Sequence, residues 1–234
     1  MRQEKALRSP TVVITGANRG LGLALVERYL RDGWNVVACC RSDESAMQLR
    51  ERVGESITTY VLDVGDLDAV RAFGSMLPDR QISLLINNAG IYPEKGRPRL
   101  ADITNEEWRR AFDVNVIGPI RLAQVMQGRL MKSGAGKVVF MTSGMALLEA
   151  NEEGGAYAYR SSKAAMNAAA KSLAVEMEPQ EIAVLLIDPG WVRTDMGGLD
   201  ATLDVQEAAD RIASIAERAR MADSGRLFMF GSDS

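Results

Sequence analysis

The chain has 234 residues, 47% of them hydrophobic and 25% charged, enough to build one large domain with a real core. A net charge of −3 argues against a nucleic-acid footprint, and no run of 18 apolar residues is present to cross a membrane. There is no histidine, which excludes Ser-His-Asp hydrolysis, Cys-His chemistry and the usual zinc or iron sites, so no metal is expected. The N-terminal MRQEKALRSP is charged and lacks the apolar stretch of a secretory signal. Cys39 and Cys40 read as buried free thiols, which fits a cytoplasmic protein.

Residues 11–22, TVVITGANRGLG, begin with a buried-strand run and turn through Gly16, Gly20 and Gly22 into a helical pattern over 21–31. A strand turning through glycines into a helix offers a phosphate close backbone approach and free N–H groups. The spacing differs from G-x-G-x-x-G, and taken alone it serves any strand-to-helix turn. Further strands are expected at 34–40, 57–62, 82–86, 138–141, 183–187 and 227–230. Between them fall helices reaching 53 and at 67–77, 105–131, 157–177 and 205–218, the third opened by a Thr104–Glu107 capping box. This alternation predicts an α/β fold over 1–234. It is a single doubly wound Rossmann domain whose mostly parallel seven-stranded sheet carries helices on both faces.

In that fold the residues just after each strand meet in one crevice. Here they are 15–22, Arg41, Asp63, 87–90, Ser143 and 188–190, all polar or containing glycine. Tyr159 and Lys163 lie four apart in YRSSK and share a helix face. An ammonium beside a phenol is expected to lower its pKa from about 10. An isolated pair of this kind also arises as a surface contact. Tyr157 is a decoy, because its partner four residues on is the uncharged Ser161. Ser143 can hydrogen-bond the same substrate oxygen as Tyr159. Asn115, between Val114 and Val116, reads as a buried polar residue in a helix. The second strand ends in Cys39-Cys40-Arg41 with no acid for a ribose 2′-OH, and Arg19 stands in the glycine loop. Two guanidiniums suit a 2′-phosphate, which points to NADP(H) over NAD(H), although arginines are also commonly just solvated.

TGANRGLG, NNAG, DVNVIG, the Ser143 position, YRSSK and DPGWVRTDMGG, in that order, resemble the short-chain dehydrogenase/reductases of the compact single-domain type. Within them the chain looks most similar to the carbonyl reductase, sniffer and C-factor-like group. The resemblance implies Tyr159 as catalytic acid/base, with Lys163 lowering its pKa and binding the nicotinamide ribose. Ser143 would orient the carbonyl, and Asn115 would hold a water that relays protons. It also implies a dinucleotide held by Gly16, Asn18, Arg19, Gly20, Leu21, Gly22 and Arg41. Asp63 and Val64 would lie at the adenine, Asn88, Ala89 and Gly90 along the cofactor, and Pro189, Gly190, Val192 and Thr194 at the nicotinamide end. Two departures stand out: Ser143 and Tyr159 are sixteen apart, and Asp188 precedes Pro-Gly where Asn or His is frequent.

Segments 91–100, 145–155 and 191–201 should form the substrate pocket, with Tyr92, Met145, Leu147, Leu148, Trp191, Met196 and Leu199 favouring an apolar carbonyl compound. Glu149, Glu152, Glu153 and Asp188 disfavour a strongly anionic one. The helix from Tyr157 carries Ala164, Ala165, Ala168, Ala169 and Ala170, small residues that fit a homodimer or homotetramer. Two other readings are a nucleotide-sugar epimerase, for which the 36 residues after Gly198 are short, and a dinucleotide-binding signalling or sensor protein.

Overall fold

A computed structural model describes residues 9–54, 56–97 and 99–229. Its strands are β1 (Thr11–Thr15), β2 (Asn35–Cys40), β3 (Ile57–Val61), β4 (Leu84–Asn87), β5 (Lys137–Met141), β6 (Ala183–Ile187) and β7 (Leu227–Phe228). They form one sheet in the order β3-β2-β1-β4-β5-β6-β7, and every neighbouring pair is parallel. The last expected strand residue, Phe230, lies outside the described residues. The helices are α1 (Gly20–Arg31), α2 (Asp43–Val53), α3 (Leu67–Met76), α4 (Asn105–Phe112), α5 (Gly118–Met131), α6 (Tyr157–Met177) and α7 (Val205–Arg218).

The sheet is buried on both faces, and the alternation of side chains along each strand sorts the core into two layers. Val13, Leu85, Val138, Phe140 and Leu186 pack under α3, α5 and α6, while Val12, Ile14, Ile86, Val139 and Leu185 pack under α1, α2 and α7. The same alternation separates the two cysteines: Cys39 belongs to the first layer and Cys40 to the second. In α6, Ala170 is buried and Ala165 and Ala169 pack against the core, so much of its alanine stripe faces inward. β1 lies between β2 and β4, so the strand order reverses there, and the crevice at the carboxyl ends of these strands is the natural ligand site. Among the described residues, no helix is long and apolar enough to cross a membrane, and no cluster of three potential metal ligands occurs.

One expected element divides. The helix over 105–131 opens with the Thr104–Glu107 capping box, as anticipated, but a π-helical turn, Asp113–Ile117, separates α4 from α5. The Gly118 N–H reaches five residues back, to the Asp113 carbonyl. Pro119 has no N–H to give the Asn115 carbonyl four residues before it. Gly118 is also required: a Cβ there would stand 1.9 Å from the Val64 carbonyl oxygen. The Gly-Pro pair therefore sets the break, and π turns of this sort gather at functional sites.

Candidate active site

A cleft of about 1060 Å³ runs along the carboxyl ends of the strands. Near its middle, after β1, it is lined by the glycine loop and the start of α1. Gly16 and Gly20 have positive φ, and a Cβ on Gly22 would lie 2.1 Å from the Gly16 carbonyl oxygen and 2.6 Å from Asn88 Nδ2. Asn88 fixes this turn, its amide donating to the carbonyls of Thr15 (2.9 Å) and Gly16 (3.2 Å). α1 begins with no side-chain cap and no acidic residue in its first turn. Its first N–H groups and positive dipole end are thus offered to the cleft. Those features fit a dinucleotide pyrophosphate.

Toward one end, after β2 and β3, lie Arg41, Asp63 and Val64. Arg41 is exposed and has no ion-pair partner among the described residues. Arg19 also lines the cleft but is engaged: its Nη1 lies 2.6 Å from Asp195 Oδ2, with both side chains largely in solvent. The Asp63 carboxylate accepts from the Gly65 N–H (2.9 Å) and pairs with Arg110 (2.5 Å). Ala89, Gly90, Pro189, Gly190, Val192 and Thr194 complete the wall, joined by Asn18 and Leu21 from the glycine loop.

The other end holds Ser143, Tyr159 and Lys163. Despite the sixteen-residue separation, the Ser143 hydroxyl comes within reach of the Tyr159 phenol, and both line the cleft. The intervening segment accommodates this by bulging outward, with residues 148–154 exposed. Burial pushes Tyr159 up to about 12, the Ser143 hydroxyl pulls it back only in part, and Asp188 and Tyr92 add to the rise. This corrects the expected net lowering: desolvation dominates, although the Lys163 ammonium stands 5.7 Å from the ring centroid. Lys163 is itself buried, which pulls it down to about 8 although Asp188 opposes the shift, and its Nζ donates to the Met141 carbonyl at 2.7 Å. Asp188 accepts from Gly190 N–H at 3.0 Å and is held above the usual carboxylate range by burial.

Asn115 is 2% exposed and stands behind the cleft wall rather than in it. Its side chain makes three hydrogen bonds: Nδ2 donates to the Ile91 carbonyl (2.9 Å) and Ser162 Oγ (3.0 Å), and Oδ1 accepts from Ile91 N–H (2.9 Å). Of the expected pocket residues, Tyr92, Met145, Trp191 and Met196 line the cleft, as do Glu153 and Asp188. Leu147, Leu148 and Leu199 do not. The latter two are exposed to solvent at 79% and 88%. The decoy Tyr157 is outside as well, near Trp108. One residue had no signal in the sequence. Glu94, from a loop rich in proline, glycine and charge, is 2% exposed and accepts the Tyr159 N–H at 2.9 Å.

The short chain dehydrogenase family model matches residues 10–202. The chain belongs to that family. This short-chain dehydrogenase is 38% identical over 160 residues to the C-signal of Myxococcus xanthus, a match covering 68% of this chain and 95% of the relative. Its fold superposes on the carbonyl reductase Sniffer of D. melanogaster with a TM-score of 0.86 and 31% identity, covering 95% and 97% of the two chains. The NADPH-bound carbonyl reductase from chicken fatty liver matches with a TM-score of 0.85 and 26% identity, over 95% and 96%. The chain is accordingly an NAD(P)-dependent oxidoreductase by family.

Proposed function

We propose that the enzyme uses NADPH to reduce the carbonyl of an aldehyde or ketone, or runs the reverse oxidation. The observation that carries this reading is the convergence of Ser143 and Tyr159 at one end of the cleft, with the Lys163 ammonium buried behind them. The glycine loop and the open end of α1 would hold the dinucleotide, which when bound would supply the hydride. Ser143 and Tyr159 both donate to the carbonyl oxygen, and Tyr159 gives it a proton as negative charge develops there. A phenol near 12 keeps its proton at neutral pH, as a proton donor must. Lys163 holds positive charge beside the phenolate that results. Because both amide protons of Asn115 are committed and its side chain is buried behind the wall, its part in a proton relay falls to its main-chain carbonyl, which Pro119 cannot bond.

Arg41, exposed at the end of β2 with no ion-pair partner among the described residues, supports NADPH over NADH, with Arg19 as a second guanidinium once it leaves Asp195. Tyr92, Met145, Trp191 and Met196 favour an apolar substrate, and Asp188 and Glu153 oppose an anionic one. The likeness to C-signal favours a second reading, a dinucleotide-binding signalling protein. NADPH absorbance followed against a panel of aldehydes, ketones and quinones separates the two. Wild type should turn over, and Tyr159→Phe should lose about 10²–10⁴-fold in kcat while still binding NADPH. Equal inertness of both proteins with NADPH binding intact would overturn the reductase reading.

A further inference from the structure

Glu94 is a carboxylate buried to 2% exposure that, among the described residues, makes one hydrogen bond, from the Tyr159 N–H at 2.9 Å, while its Oε2 has no partner. Burying a carboxylate is costly, and a single amide is small compensation. The amide it takes is in the first turn of α6. That helix starts without a cap of its own, because Ala156 at the N-cap position is left-handed (φ 50°, ψ 39°) and has no side-chain oxygen to offer. A Ser, Thr, Asp or Asn at 156 is the cheap local solution. Here the first turn is instead closed from 65 residues away.

The remote closure does something a local cap cannot. It ties the main chain of Tyr159 to the segment that also packs its ring: Tyr92, two residues before Glu94, stacks on Tyr159 with centroids 4.5 Å apart and planes 23° from parallel. That segment is itself pinned at both ends. Asn115 brackets Ile91 through N–H and carbonyl, and Arg97 donates to the Pro93 carbonyl (2.5 Å) and pairs with Glu107 at the start of α4 (2.7 Å). Ring and backbone of Tyr159 are therefore set by one braced strip of chain. We infer that Glu94 is a positioning residue for Tyr159, its buried carboxylate fixing the first turn of α6 so that the phenol meets Ser143. The inference rests on the reductase reading, and misplacement of a reacting group by about 1 Å can cost on the order of 100-fold in rate.

The test compares wild type with Glu94→Ala, Glu94→Gln and Glu94→Asp in the full chain, assayed below the lowest Tm of the set with NADPH and 4-nitrobenzaldehyde. Glu94→Ala should lose about 10- to 100-fold in kcat with KM for NADPH unchanged, because the glycine loop is untouched. Glu94→Gln keeps an acceptor of equal reach and should retain kcat within about threefold. Glu94→Asp keeps the charge but falls a methylene short and should behave like Ala, which also covers the case in which Glu94→Ala does not fold. A kcat within twofold of wild type for Glu94→Ala or Glu94→Asp would overturn the inference, as would an equal loss in Glu94→Gln. If wild type reduces none of the carbonyls, the function reading fails by itself, and amide exchange of the α6 first turn decides on Glu94. Faster exchange in Glu94→Ala and protection in Glu94→Gln support it, and unchanged exchange in both overturns it.

Discussion

Two helices bring their first turns to the same cleft, and the chain finishes them in opposite ways. α1 is left bare, with glycines around it, no cap and no acid, while α6 is closed by a carboxylate from a distant loop. A bare end is a binding site, since its amides and dipole wait for an anion. A closed end needs nothing from a ligand and can be held rigid, which suits a turn that carries a reacting phenol. The difference teaches what the two halves of the cleft are for: one receives, the other aims.

The largest effect should come from spoiling the bare end. Gly22→Ala puts a methyl 2.1 Å from the Gly16 carbonyl oxygen, on backbone that cannot yield. NADPH affinity should fall about 5- to 150-fold, measured by fluorescence titration, for an overpacking strain of about 1–3 kcal/mol. An affinity within threefold of wild type would show that the loop is not the phosphate cradle. Next in size, Arg41→Ala should raise KM for NADPH about tenfold or more and leave NADH nearly unchanged, as expected for one charge-assisted hydrogen bond. Equal effects on both cofactors would sink the NADP preference.

The aimed half can be read by pH. Burial holds Lys163 near 8 in the folded protein, against an ordinary lysine value of 10.5. Below pH 8 both states keep the proton. Between about 8 and 10 the unfolded chain binds it and the folded one has released it, so stability rises with pH by up to about 1.4 kcal/mol per unit. Wild type should gain on Lys163→Met across that window in denaturant melts, a subtraction that cancels the other titrations. A flat difference would mean Lys163 is charged in the fold at every pH tested. The smallest effect belongs to the exposed Arg19–Asp195 pair, of the kind worth well under 1 kcal/mol. Asp195→Asn should leave Tm in place and improve NADPH affinity by a few-fold at most, by releasing Arg19.

The receiving half was almost wholly legible in the sequence, and the aiming half only in outline. Strand ends, glycine spacing and the Tyr159–Lys163 interval are local patterns, and a parallel sheet turns them into one crevice without further information. The break between α4 and α5 was written in Gly118-Pro119, where a proline inside a helical pattern removes an N–H, but the apolar stripe around it reads as one helix. Glu94 left no local trace. A glutamate among proline, glycine and lysine reads as solvated, and only a contact across 65 residues buries it. The direction of the Tyr159 shift failed for a related reason: spacing along a helix shows that a lysine is near, not how much water the fold removes from both.

The pair Cys39-Cys40 has a practical consequence. Being adjacent on a strand, the two sulfurs project to opposite sides of the sheet, each sealed under its own layer of helices, and burial raises both thiols, Cys40 to about 11. Neither can ionise or meet a reagent in the closed molecule. A thiol-reactive dye added to the native protein should therefore wait for the whole sheet to open, and its uptake becomes a clock for global unfolding, run at two independent points without any label being engineered in. Cofactor binding should slow both hands of that clock together.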